Sequence, residues 1–327
     1  MRIGKSDILN ATVMGLGAWA IGGKFWWGDN DDRESEETIR AAVDRGINLI
    51  DTAAVYGFGH SEEVIGRAIA GLRDRVILST KCGLSWDGRE GSFFYEKEGK
   101  TVRRNLSRAS IRKDIEASLK RLKTDRIDIY LTHWQSVEPY RASVEETMRA
   151  LTDLKKEGKI RAIGISNVSP EQICEYMDFG ELDIVQEKYS ILDRRAEKKY
   201  FEICKKNGVT FQAYSPLEMG ILTGKIAEDF KPAPGSARDN KHWYEKENLK
   251  RAVRMLAGWG DLTKKYGCTV TNLSVAWLLA QKDNMNVLCG ARKVFQLEDN
   301  IGGAELALEK EDILRMTKDA QEAGALL

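Results

Sequence analysis

Short apolar runs rich in β-branched residues alternate along the chain with longer stretches whose apolar positions recur every three or four residues. The first pattern predicts buried strands and the second amphipathic helices. "TVMGLG" opens the series as a first strand, followed by "NLID" at 48–51, "RVILSTK" at 75–81 and "RIDIYLTHW" reaching His133. "IRAIGISN" at 160–167, "LDIVQ" ending at Gln186, "VTFQAYSPL" running into a turn, and "MNVLCGA" complete eight. Helical patterns lie between them. "SEEVIGRAIA" carries a stripe of Val64, Ile65, Ala68 and Ile69, with Ser61 as its expected N-cap. "SIRKDIEASLKRL" aligns Ile111, Ile115, Leu119 and Leu122. "SVEETMRALTDLKKEGK" opens with Ser143 and Glu146 at capping-box spacing and closes at Gly158. "PEQICEYMDFG" has Pro170 at its start. Further helices are expected over 195–206, 247–266, 270–281, from "QLEDNIGG" onward, and over 309–323.

Strand then helix, repeated to eight strands, predicts an α/β fold of the (β/α)8 TIM-barrel type. A doubly wound open sheet is the alternative. No Pro- or Gly-rich linker interrupts the series, so residues 1–327 are expected to form a single domain. The stretches 22–28, 84–108 and 218–246 are too long for ordinary turns and read as loops over one face. "GLGAWA" imitates the G-x-G-x-x-A dinucleotide fingerprint, but Gly22, Gly23 and three aromatic residues follow it where that motif needs a helix.

Composition narrows the function. The 51 basic and 50 acidic residues leave a net charge of +1, which offers no field for nucleic acid or anionic lipid. No apolar stretch is long enough for a membrane span, and the N-terminus lacks a signal-peptide pattern. Cys82, Cys174, Cys204, Cys268 and Cys289 are scattered without a CxxC pair, so a reducing, cytoplasmic setting is expected. Of three histidines only His133 ends a strand, too few for a metal site there.

The chemistry lies where apolar runs stop. Asp51, Lys81, His133, Ser166 with Asn167, and Gln186 end five consecutive strands, and Tyr56 follows the second. In a barrel these ends meet at one mouth. An unperturbed tyrosine titrates near pH ~10. An ammonium about 4 Å away, at an effective dielectric of about 20, would favour its phenolate by roughly 4 kcal/mol, or about three pKa units. Lys81 would supply that cation and Asp51 would hold Lys81, making Tyr56 a general acid/base. A neutral His133 could fix the angle of a substrate carbonyl. Taken singly, each has a plainer reading: a rim ion pair, a rim aromatic, a buried structural histidine.

At these residues the sequence resembles the aldo-keto reductases. "DTAAVYGFGHSEEVIG", "STK", "IDIYLTHW", "GKIRAIGISN", "AYSPLEMGILTGK" and "GARKVFQLEDN" occur in that family's order across nearly the whole chain. The likeness is greatest to the bacterial general-reductase and potassium-channel β-subunit-like branches. The resemblance implies NADP(H) binding without a Rossmann fold, and hydride transfer between the nicotinamide and a carbonyl or sugar or the matching alcohol. It implies Tyr56 as general acid/base, Lys81 as its modulator, Asp51 as the partner of Lys81, and His133 as carbonyl orienter. Ser166, Asn167 and Gln186 match the residues that hold the nicotinamide carboxamide, and Tyr214 the aromatic stacked on its ring. Ser215, Pro216, Leu217, Gly220 and Lys225, joined by Arg238, match the pyrophosphate loop. Gly290, Ala291, Arg292, Gln296 and Asn300 match the adenosine end. Gly17, Ala18 and Trp19 lie where the first strand meets nicotinamide and substrate. Arg292 and Lys293 favour NADPH, since a 2′-phosphate wants cations. The substrate would meet Trp19, Tyr56, Trp86, His133 and Trp134, with Trp26, Trp27, Tyr95 and Tyr189 as further candidates. "HWQ" departs from the family's commoner "HWP". The alternative is a slow, cofactor-binding regulatory subunit that reports redox state. A metal-dependent barrel enzyme would need more ligands than His133. The sequence leaves the oligomeric state open.

Overall fold

In the computed structural model, which describes residues 1–4, 9–88, 90–282 and 284–327, eight strands close into one parallel barrel in chain order. They are β1 (Met14–Gly17), β2 (Leu49–Asp51), β3 (Ile77–Cys82), β4 (Ile127–Thr132), β5 (Ile160–Ser166), β6 (Ile184–Lys188), β7 (Thr210–Tyr214) and β8 (Met285–Gly290). Register pairs such as Gly17↔Asp51 and Gly17↔Gly290 close the ring at β1. This is the (β/α)8 TIM barrel that the eight apolar runs predict. Strands covered on both faces have no polar side, which explains why those runs are continuous rather than alternating.

The apolar side chains form two main layers. Leu49, Ile129, Leu131, Ala162, Ile184 and Leu288 fill the barrel. Outside it, Val64, Ile115, Leu151, Ile173 and Leu297 belong to the layer between strands and helices. Ile3, Leu9 and Ala11 join the inner layer and stop its lower end, on a short antiparallel pairing in which Ile3 N–H donates to Leu9 O at 3.0 Å. Gly164 faces this filling: a Cβ there would lie 2.7 Å from Leu131 Cγ, so only glycine leaves room for the leucine.

Several elements differ from expectation. A helix at Asp32–Asp44 lies between β1 and β2, its Ile39, Ala42 and Val43 buried beneath a heavily charged surface that masks the pattern. The next helix, His60–Ala68, is preceded by Gly59 in left-handed conformation, with no side-chain cap. Ser61 instead points inward and donates to Ala18 O at 2.9 Å. Ser143 caps its helix by accepting from Glu146 N–H, but the box is half-formed, because the Glu146 carboxylate accepts from Arg108 N–H of the neighbouring helix. The 195–206 helix breaks at Tyr200, and the 247–266 helix breaks at Gly258–Trp259. The largest departure is 84–108, expected as a loop. Leu84–Ser85, Ser92–Lys97 and Lys100–Arg104 build a three-stranded antiparallel sheet there. Among the described residues no helix is long and apolar enough to cross a membrane.

Candidate active site

The upper ends of the strands enclose a buried ion pair. Lys81, 2% exposed on β3, donates from Nζ to Asp51 Oδ1 at 2.6 Å and to Thr52 O at 2.7 Å. Asp51 Oδ2 accepts from Ser79 Oγ at 2.8 Å and from Gln186 Nε2 at 3.0 Å. The carboxylate therefore has three donors, the condition under which a buried charge is tolerated. Burial pulls the Lys81 pKa below the usual amine range, opposed by the attraction of Asp51.

Tyr56 Oη stands 3.5 Å from Lys81 Nζ. Burial, and then the negative charge of Asp51, push its pKa well above the ordinary tyrosine value. The direction is opposite to the lowering by Lys81 expected from the sequence. The ammonium turns its two short hydrogen bonds to Asp51 and Thr52, so it offers the phenol a long contact while Asp51 opposes a second negative charge. Both effects favour the neutral phenol. Its ring meets that of His133 edge-on, with centroids 5.7 Å apart. Burial, and then Lys81, hold the imidazole pKa well below the histidine range, which favours neutral His133. Gly22 lets the strand-one loop pass close by: a Cβ there would lie 2.9 Å from the Tyr56 carbonyl carbon.

Beside this centre, β5 to β7 supply a second set of polar groups. Asn167, with φ of 55°, donates to His133 O at 2.8 Å and accepts from Tyr214 Oη at 2.9 Å. Ser166 Oγ donates to Gln186 O at 2.7 Å. The cleft then runs over Ser215, Pro216, Leu217 and Gly220 to Gly290, Ala291, Arg292, Gln296 and Asn300, enclosing about 730 Å³. Gly17, Ala18 and Trp19 line its near wall, and Lys225 and Arg238 its far one. Arg238 Nε donates to Met219 O at 3.0 Å, and the guanidinium lies 5.2 Å from the Trp27 ring. Arg292 donates to Trp27 O at 3.3 Å. Among the described residues neither arginine has a carboxylate within ion-pair distance. Burial and the neighbouring Arg238 lower the Arg292 pKa. Thr271 Oγ1, buried at the same end, has no hydrogen-bond partner among the described residues. Unpaired guanidiniums and an idle hydroxyl along an open channel suit a long, phosphate-bearing ligand such as a dinucleotide.

Most sequence-predicted residues line this one cleft, and Lys81 lies directly behind it. Trp134, Trp26, Trp27 and Tyr95 form an aromatic end. Two residues do not belong. Trp86 packs on Phe58 at 5.4 Å between ring centroids and faces a separate cavity of about 610 Å³. Tyr189 is fully buried among Phe201, Phe211 and Trp277, its hydroxyl donating to Glu197. Lys293, the expected second cation for a 2′-phosphate, pairs instead with Glu34 at 3.1 Å. The sequence reading passed over Phe94, Met219 and Thr271, which also line the cleft. "SFFYEK" around Phe94 held a strand signal that would have found it. Among the described residues no group of three or more His, Cys, Asp or Glu could hold a metal ion.

Comparison with known proteins gives a consistent picture. The model described as "Aldo/keto reductase family" matches residues 13–320. The chain is 46% identical to the NADH-specific methylglyoxal reductase of Escherichia coli (strain K12), across 98% of this chain and 97% of that one. It is 40% identical to an aldo-keto reductase of Bacillus subtilis (strain 168), across 89% and 84%. A glycerol dehydrogenase from Gluconobacter oxydans superposes with a TM-score of 0.88 at 34% identity, across 100% and 96%. An aldo-keto reductase from Klebsiella pneumoniae in complex with NADPH superposes with a TM-score of 0.70 at 25% identity, across 97% and 95%.

Proposed function

The chain belongs to the aldo/keto reductase family, and on that premise we propose that it moves a hydride between NADP(H) and an aldehyde, ketone or sugar carbonyl, or back from the alcohol. The observation that carries this is the neutral Tyr56 phenol set beside a neutral His133 with the Lys81–Asp51 pair behind them. Bound nicotinamide supplies or accepts the hydride. In reduction His133 holds the carbonyl oxygen and Tyr56 gives it the phenolic proton. Lys81 then faces the phenolate left behind, and Asp51 keeps Lys81 in place. Ser166, Asn167 and Gln186 hold the carboxamide, and Tyr214 stacks on the ring. The loop from Ser215 to Lys225 and Arg238 follow the pyrophosphate. The carbonyl's own substituents meet Trp19, Trp26, Phe94, Tyr95 and Trp134, which suits a small, partly apolar molecule.

For the 2′-phosphate, Arg292 is the cation that supports NADP(H), as does the NADPH complex of the Klebsiella pneumoniae relative. A second reading, NADH, is favoured by the Glu34–Lys293 pair, which neutralises the other cation, and by the NADH-specific relative. A redox-reporting subunit would share the cleft but turn over slowly. One closed barrel supports a single domain over 1–327, and free cysteines suit a cytoplasmic enzyme.

The test is a tryptophan-fluorescence titration with NADPH and NADH, paired with carbonyl turnover. Trp19 and Trp27 line the cleft, so bound reduced cofactor should quench emission. Tighter NADPH than NADH, with turnover, is expected. Tighter NADH would overturn the cofactor assignment, and binding without turnover would favour the regulatory reading.

A further inference from the structure

Polar residues interrupt three of the buried strands below the cleft. Gln186, Gln212 and Asn286 stand side by side on β6, β7 and β8, because Gln212 is the register partner of both others. They are 2%, 0% and 0% exposed. Only Gln186 reaches the cleft.

Their amides are bonded in series. Asn286 Nδ2 donates to Thr12 O at 2.7 Å and Val13 O at 3.1 Å. Asn286 Oδ1 accepts from Gln212 Nε2 at 2.9 Å, and Gln212 Oε1 accepts from Gln186 Nε2 at 2.6 Å. Gln186 Nε2 also donates across the barrel to Asp51 at 3.0 Å. The direction of every link is forced from the ends. Backbone carbonyls and a carboxylate only accept, so each amide must turn its NH₂ group toward them in sequence. Flipping any one would set oxygen against oxygen and leave buried hydrogens unpaired, which is costly in a dry interior. Gln186 therefore commits its N–H groups to Asp51 and Gln212. Its Oε1 accepts no hydrogen bond among the described residues, and is the atom it has left to offer the cleft.

We propose that Gln212 and Asn286 are positioning residues: the amide chain anchored on the start of β1 fixes Gln186 with its Oε1 as an acceptor for the N–H of a carboxamide. This rests on the reading of the cleft as a nicotinamide site. Neither residue touches the cofactor; both act through Gln186.

The experiment is calorimetric titration of the full chain with NADPH and NADH, each against its nicotinamide-free fragment (2′-phospho-ADP-ribose or ADP-ribose). Gln212→Met keeps the volume and removes both links. Binding of the reduced dinucleotide is expected to weaken about tenfold, the scale of one buried hydrogen bond, while fragment binding is unchanged. Gln212→Glu is nearly isosteric and covers the case in which the methionine variant does not fold. Its protonated acid can accept from Gln186 and donate to Asn286; its carboxylate cannot donate. Dinucleotide affinity in this variant should match the parent at acid pH and fall as pH rises, with the fragment as the unchanged control. Asp51, Lys81 and Lys188, the charged groups at nearby inward strand positions, are present in both proteins, so the parent's own profile accounts for them. Equal losses for dinucleotide and fragment, or no loss for either, would overturn the positioning role. If the parent binds the fragments but neither dinucleotide more tightly, or binds nothing, it is the nicotinamide reading itself that fails.

Discussion

The two ends of the cleft are built on opposite plans. At the Tyr56 end the side chains stand on strand ends, and nearly every polar atom is tied to another: Asp51 to Lys81, Ser79 and Gln186, Asn167 to His133 and Tyr214. At the Arg292 end the side chains stand on loops and at helix starts. There, among the described residues, Arg238 and Arg292 donate to backbone carbonyls and pair with no carboxylate, Arg238 also lies over the Trp27 ring, and Thr271 Oγ1 has no hydrogen-bond partner. The closed end is organised before any ligand arrives, which is where electrostatic catalysis gains most. At the other end, Arg238 and Arg292 are without carboxylate partners among the described residues, and on the proposed reading these are the groups that would meet a ligand's phosphates.

Substitutions at the two ends should differ in kind. Tyr56→Phe is expected to lower turnover by about 10²–10⁴-fold with cofactor affinity unchanged, as steady-state rates and fluorescence titration together would read. Near-parent turnover would break the assignment of Tyr56. Lys81→Met strands the Asp51 carboxylate in the barrel. It should destabilise the fold by about 3–5 kcal/mol in denaturant titration, besides slowing turnover. At the far end, Arg292→Ala should leave kcat nearly intact and weaken NADPH by about 1.5–3 kcal/mol, with a smaller effect on NADH. Equal loss of both cofactors would move Arg292 away from the 2′-phosphate. The smallest effect is expected from Glu34→Ala, which frees the half-exposed Lys293: a shift toward NADPH worth up to about 1 kcal/mol in the ratio of the two affinities, fading with salt.

The closed end also carries a pH signature. His133 is held well below the histidine range, so reduction should hold level down to about pH 6.5. Tyr56 is held well above the tyrosine range and Lys81 below the amine range, so the alkaline fall should follow Lys81 and set in below about pH 10.4. The sign for stability follows from His133. Its folded pKa lies below the unfolded value, so its contribution is full above about pH 6.5 and is lost as the pH falls below that, where the unfolded chain binds the proton. Melting temperatures of the parent and His133→Gln, measured across that range, should converge on the acid side.

The closed end was the more legible in the sequence. A charge or amide at the end of an apolar run has few explanations, and Asp51, Lys81, His133 and Gln186 stood there in order. What the sequence withheld depends on contacts that no spacing encodes. The direction of the Tyr56 pKa turns on how deeply the phenol is buried and on the nearby charge of Asp51. Trp86 and Phe94 share one stretch, and only its folding into a sheet turns Phe94 to the cleft and Trp86 away. Lys293 read as a free cation because Glu34, its partner, lies on a helix whose charged surface hid it. Gln212 and Asn286 drew no expectation from the sequence, because their purpose depends on register across three strands.

The barrel's lower end is stopped by Ile3, Leu9 and Ala11. Bulk solvent therefore approaches the interior from the cleft side, past Tyr56 and Gln186. In heavy water the side-chain amide hydrogens of Gln212 and Asn286 would be expected to persist long after those of surface glutamines have been replaced. A ligand seated in the cleft would slow that replacement further by covering the opening above Gln186, which makes these hydrogens a clock for how often the mouth stands open.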